Sequence, residues 1–168
     1  MKQTDIQSQP AVVLMGLGRV GTAAPAVYGP RDRLVIRNHA DAILAAGGRL
    51  AALVDSSEQR RESAMKKLAV RGGAEVEQVA KISQLRPGCA DIVTIATPPQ
   101  GRLELLSEAL DLGPKAVILE KPLTVDLDEA AALLQIAAKA RIPLYVCFNR
   151  RTDPGMREFT KAVDFTKV

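Results

Sequence analysis

At 168 residues the chain is long enough for one well-buried domain and too short for two full-sized ones. Its composition, 25% charged and 47% hydrophobic, is that of an ordinary globular protein, and no apolar run approaches the roughly 18 residues of a membrane span. The net charge of +4 comes from scattered residues such as "QRRESAMKK" and "NRR", and aromatics make up 3% with no tryptophan, which argues against a nucleic-acid surface.

The chain opens on "MKQTDIQSQP", polar and without the layout of a leader peptide, so residues 1–10 read as a flexible tail on a cytoplasmic protein. "AVVLMG" (11–16) is a short branched run closed by glycine, a buried-strand pattern. "DRLVIRNHADAILAAGG" (32–48) has helical spacing and ends in a glycine pair suited to a helix C-cap. "RLAALVD" (49–55) reads as a strand and "SSEQRRESAMKKLAV" as a helix capped by its serines. "AEVEQVAKISQL" holds a short strand and a short helix. Then come a strand in "DIVTIAT" (91–97), a helix in "PQGRLELLSEALDLG", a strand in "KAVILEKP" and a helix in "DLDEAAALLQIAAKAR". "IPLYVCFN" (142–149) is a last strand and "PGMREFTKAV" a last helix.

Strand and helix alternate and the strands are uniformly apolar, the pattern of a parallel sheet covered on both faces. Right-handed crossovers then predict an α/β fold with a doubly wound parallel sheet, a Rossmann fold, in one domain. Cys89 and Cys147 stand far apart without partner spacing, so neither a metal site nor a disulfide framework is expected.

Gly16, Gly18 and Gly21 follow the first strand. A pyrophosphate cradle needs a glycine for the sharp turn, a second for backbone approach to phosphate, and a third for close helix–strand packing. Asp55 closes the second strand, the place of a ribose-binding carboxylate, with Ser56 and Arg60 beside it. It lies 34 residues beyond Gly21 against an expected separation of about 20. Pro25, Gly29 and Pro30 in "PAVYGPRDR" account for the excess as an inserted loop that interrupts the first helix. Capping of the next helix is the alternative use of Asp55. The acid favours NAD over NADP, although Arg60 and Arg61 could accept the 2′-phosphate of NADP. Ligands in such sheets sit beyond the strands' carboxyl ends, where "ATPP" (96–99) and "EKP" (120–122) fall. A lysine there can contact a substrate hydroxyl or move a proton; a surface ion pair beside a proline turn is the bland alternative.

"GLGRVG", "VD", "ATPP" and "EKP", in this order, with "NRR" and a following proline at 149–154, resemble the N-terminal domain of the Gfo/Idh/MocA oxidoreductases. The resemblance runs over about residues 11 to 165. It implies that Gly16, Gly18, Arg19 and Val20 hold the pyrophosphate and Asp55 the adenosine ribose. Ala96, Thr97, Pro98 and Pro99 would line the nicotinamide side. Glu120 and Lys121 would lie at the reacting centre, with Lys121 the catalytic lysine, and Asn149 and Arg150 at the rim. A histidine that the family commonly carries after its "TP" pair aligns here with Arg102. The only histidine, His39, reads as a surface or packing residue in the first-helix region, far from the strand ends.

Family enzymes continue into a second α/β domain that supplies most of the substrate pocket. This chain carries residues 11–150 as the NAD(P)-binding domain and 151–168 as a helix leading toward that absent domain. Two readings follow. One is the cofactor-binding part of an oxidoreductase that moves hydride between NAD(P) and a sugar, cyclitol or similar polyol. The other is a free-standing dinucleotide-binding module acting as a redox sensor, a regulator or a subunit completed by a partner chain. A small-molecule substrate requires the second domain or such a partner, and self-association over the exposed surface is a further expectation. A methyltransferase-like nucleotide fold also uses a glycine loop and an acid, but gives no reason for "EKP".

Overall fold

The computed structural model describes residues 9–24, 27–28, 34–36, 38–69, 76–148, 151 and 153–163. In chain order these form β1 (Ala11–Met15), β2 (Val27–Tyr28), β3 (Leu34–Val35), α1 (His39–Ala45), β4 (Arg49–Val54) and α2 (Glu58–Ala69). There follow β5 (Glu77–Val79), β6 (Ile92–Ile95), α3 (Arg102–Asp111), β7 (Ala116–Glu120), α4 (Leu127–Ala140), β8 (Leu144–Cys147) and α5 (Pro154–Ala162).

All five side chains of β1 are buried. Strand side chains alternate between faces, so a strand apolar at every position must be covered on both. Val13 and Met15 join one core cluster, closed by Leu106 and Ala109 of α3 and Leu133 of α4. Leu14 joins a second, closed by Ala40 of α1 and by Ala64 and Leu68 of α2. Each large side chain buried in this way stabilises the fold by about 1.5–3 kcal/mol.

Six strands form one parallel sheet in the order β5-β4-β1-β6-β7-β8. This is the doubly wound order, and the connections reverse direction at β1, which opens a crevice beyond the carboxyl ends of β1 and β6. No helix among the described residues is long and apolar enough to cross a membrane.

The first crossover departs from the sequence reading. After the glycine loop the chain makes one wide turn, with Ala23 N–H donating to the Gly18 carbonyl (3.1 Å) and Ala24 N–H to that of Arg19 (2.7 Å). β2, in the segment read as an insertion, pairs antiparallel with β3, in the stretch read as helix, with Val27 opposite Val35. Helix starts only at His39, so the helical spacing assigned to Leu34 and Val35 belongs to a strand. Asn38 sets that start: its side-chain oxygen accepts from Asp41 N–H (2.9 Å), an N-cap, and its amide donates to the Ala24 carbonyl (2.7 Å). The second bond joins the two ends of the excursion. Elsewhere the elements fall where periodicity placed them. Ser57 Oγ accepts from Arg60 N–H at the start of α2 (3.3 Å), and Gly47 takes a positive φ of 82° after α1.

Candidate functional site

Beyond the carboxyl ends of β1, β4, β6 and β7 lies a cleft of ≈ 740 Å³, within the roughly 300–1,000 Å³ of small-molecule sites. The glycine loop forms one wall. Gly16 has φ of 84°, and a Cβ there would come within 2.9 Å of the Ala96 carbonyl carbon. A Cβ on Gly21 would overlap the Gly16 carbonyl oxygen. Around Gly18, by contrast, nothing lies within 4 Å of where a Cβ would stand. Two glycines are thus required by the protein's own packing and the third faces open space in the cleft, which leaves room for a ligand to approach the backbone. Gly18, Arg19 and Val20 line the cleft there. The first N–H groups of the turn have no intrahelical acceptors and suit an anion.

Asp55 stands after β4 with its side chain only 5% exposed. Its Oδ2 accepts from Leu17 N–H and its Oδ1 from Ser57 N–H, both at 2.9 Å. The carboxylate therefore ties the glycine loop to the turn before α2, whose own cap is Ser57 and not Asp55. Each oxygen keeps a second lone pair, so a ribose hydroxyl can still donate to it. Arg60 Nη1 lies 3.7 Å from Oδ2, and Arg61 Nη1 donates to the Asp55 carbonyl (2.5 Å). Ser56 and Arg60 line this end of the cleft, as does Lys81 beyond β5.

On the opposite side Ala96, Thr97 and Pro98 follow β6, Glu120 ends β7 and Lys121 follows it. Thr97 Oγ1 is buried without a hydrogen-bond partner and lies on the cleft, so a ligand polar group there would satisfy it. The loops after β6 and β7 are joined by Arg102, whose residue is 0% exposed. Its Nη2 donates to the Thr97 carbonyl (2.7 Å), and its Nη1 to the carbonyls of Glu120, Pro122 and Leu123. Burial pushes this guanidinium below its ordinary pKa, opposed by the carboxylates of Glu120 and Glu129. The Lys121–Pro122 peptide is cis.

Glu120 is held at its other end as well. Its Oε1 lies 2.8 Å from His39 Nε2, its Oε2 accepts from Lys121 N–H (3.1 Å), and Cys147 Sγ lies close by. Burial first, and the Glu120 charge second, push the Cys147 thiol up, so it stays a neutral thiol. Ligand atoms of His39, Glu120 and Cys147 all lie within 4.8 Å of one another. Lys121 is exposed and has no ion-pair partner among the described residues.

The structure gathers Gly16, Gly18, Arg19, Val20, Asp55, Ser56, Arg60, Ala96, Thr97, Pro98, Glu120 and Lys121 around this one cleft. Pro99 is not in its lining, because the chain has already turned toward α3. Asn149 and Arg150 lie outside the described residues. His39 corrects the sequence reading, since it touches a strand end. With helix wrongly begun at residue 32, His39 falls two turns into it; with Asn38 as the cap, it falls at the helix N-terminus, which in a βα unit borders the carboxyl edge of the sheet. An asparagine directly before an apolar-periodic stretch was the available signal. Lys81 was missed because it follows a strand of only three residues.

Residues 11–148 match the model of an oxidoreductase family described by its NAD-binding Rossmann fold, Gfo/Idh/MocA. Over 156 residues the chain is 32% identical to inositol 2-dehydrogenase of Rhizobium meliloti (strain 1021), covering 92% of this chain and 41% of that protein. It is 24% identical over 163 residues to scyllo-inositol 2-dehydrogenase (NAD(+)) of Bacillus subtilis (strain 168), covering 97% of this chain and 42% of that one. In fold it resembles scyllo-inositol dehydrogenase of Lactobacillus casei, solved with bound NAD(H) and scyllo-inositol. There the TM-score is 0.68 at 22% identity, over 96% of this chain and 42% of that one. The chain thus spans about two-fifths of the length of these relatives. Sheet order, glycine loop and family match agree, and the chain belongs to the Gfo/Idh/MocA oxidoreductases as an NAD-binding Rossmann domain.

Proposed function

We propose that this chain is the cofactor-holding part of a dehydrogenase that moves hydride between a nicotinamide dinucleotide and a ring CH–OH carbon of a cyclitol, sugar or similar polyol. The observation that carries the reading is Lys121, an exposed and unpaired ammonium among the described residues, on the same cleft as the glycine loop. The inositol dehydrogenases among its relatives support the cyclitol class. The reading includes a cytoplasmic setting, in keeping with two cysteines that are both free.

In this reading Gly16, Gly18, Arg19 and Val20 take the pyrophosphate, and Asp55 with Ser56 takes the adenosine ribose. Arg60 balances the Asp55 charge, which keeps NADP open as a weaker alternative to NAD. Ala96, Thr97 and Pro98 form the nicotinamide side. When bound, NAD supplies a two-electron hydride acceptor. Lys121 orients the substrate hydroxyl and takes part in removing its proton, while Glu120 and Arg102 hold the backbone that carries it. Substrate selection belongs to a second domain or a partner chain.

A free-standing binding module is favoured by a different observation. Tyr145 and Phe148, at 60% and 51% exposure, stand on and beside the edge strand β8, as an uncovered interface would. Calorimetric titration with NAD, NADH, NADP and NADPH tests the first reading. One-to-one binding that Asp55→Ala weakens supports it, and no binding to any of the four overturns it. Light scattering separates a self-associating module from a monomer that needs a different partner.

A further inference from the structure

Glu120 and Lys121 are adjacent residues of opposite charge on one cleft wall, yet they do not pair. A carboxylate whose side chain is 13% exposed seeks charged or hydrogen-bonding partners, and a flexible lysine ammonium one residue away is an available one. The Glu120 carboxylate instead meets His39 Nε2 at 2.8 Å. His39, 11% exposed at its side chain, is placed by the Asn38 cap and by the bond from Asn38 to Ala24. Arg102 meanwhile fixes the backbone carbonyl of Glu120. The three polar side chains lie within metal-ligand reach, and the closest contact, between His39 and Glu120, is one that a hydrogen bond explains.

From this geometry we infer that His39 is a positioning residue: by holding the Glu120 carboxylate, it keeps the Lys121 ammonium unpaired and available to whatever occupies the cleft. Its functional meaning rests on the proposed role of Lys121, but the arrangement is testable on the chain without any nucleotide.

The experiment is competitive acetylation of the full chain with acetic anhydride at fixed pH, read by mass spectrometry as the Lys121 rate relative to Lys139, an exposed lysine of α4. In His39→Ala the freed carboxylate pairs with Lys121, and its relative rate falls about threefold to fivefold, the effect of a modest exposed ion pair. His39→Gln, which keeps a donor, should restore part of the rate. His39→Ala combined with Glu120→Gln should return it to that of Glu120→Gln alone. If the alanine variant does not melt cooperatively, His39→Phe fills the same space without a donor and carries the same expectation. An unchanged rate in the variant that folds overturns the inference, as does a slowing that persists when Glu120 is neutralised. Because no nucleotide is present, neither result depends on whether the chain binds NAD.

Discussion

Arg102, the first residue of α3, donates through Nη1 to the main-chain carbonyl of Glu120, the last residue of β7. The same guanidinium reaches Thr97 after β6, so the two loops on this side of the cleft are one mechanical unit. A buried cation surrounded by carbonyls is stable only while all of them remain in place. Removing it strands several acceptors at once, each at a cost of about 1–3 kcal/mol.

Arg102→Ala is therefore expected to lower unfolding stability by about 2–5 kcal/mol. Arg102→Lys should recover only part of this, since one ammonium cannot serve four separated carbonyls. Urea midpoints for the two variants check the point, and a wild-type midpoint for the alanine variant would remove the clamp from the account.

The glycines should separate folding from binding. Gly21→Ala forces a methyl into the Gly16 carbonyl and should cost about 1–3 kcal/mol or more of stability. Gly18→Ala meets nothing within 4 Å and has an ordinary φ of −70°, so its melting temperature should stay close to wild type. Under the proposed function its NAD affinity should fall by tenfold or more, roughly 1.4 kcal/mol, because the methyl stands where phosphate approaches. Calorimetry and thermal melts on the same samples decide. Undiminished NAD binding by Gly18→Ala would place the pyrophosphate elsewhere.

Asp55→Ala should weaken both properties. Two backbone N–H groups, those of Leu17 and Ser57, lose their acceptor, which should cost about 1–3 kcal/mol of stability. Asp55→Asn leaves one donor facing another, because its amide nitrogen cannot accept, and should not rescue the melt. A stable Asp55→Ala chain that has lost only nucleotide affinity would show that the carboxylate's structural bonds matter little.

A pH effect is built into the other end of the sheet. Asp91 accepts from Lys115 Nζ and from Ala11 N–H, both at 2.8 Å, and these two bonds hold its carboxyl below the ordinary value of 3.8. A folded-state pKa below the unfolded one contributes stability that is complete above the ordinary value and lost as pH falls through the lower folded value. Lys115 is shifted up from 10.5 by the same bond, so its share is complete below that value and lost as pH rises through the higher folded one. Asp91→Asn should thus lower stability at neutral pH, and the gap to wild type should close below about pH 4. Melts across that range check the sign. A gap that widens in acid would refute the assignment.

The parallel sheet was legible in the residues because its central strand had to be covered on both faces, and the run Ala11–Met15 states that requirement locally. The meeting of two cleft loops was legible for a related reason: a doubly wound order sends strand ends to one edge, so "ATPP" and "EKP" had to meet there. The start of α1 was not. Leu34 and Val35 carry spacing compatible with helix, and the pairing with Val27 and Tyr28 that makes them a strand is a contact between chain segments.

By itself, then, the sequence determined the fold class, the glycine cradle and the order of the site loops, because periodicity, turn chemistry and short motifs are local properties. Only the tertiary structure decided that His39 lies against Glu120, that Asp55 joins two loops, and that Arg102 is a buried clamp. Those three depend on where an excursion of the chain returns and on which carbonyls converge on one guanidinium. Such long-range distances are set by packing the whole sheet, and no single stretch of residues encodes them.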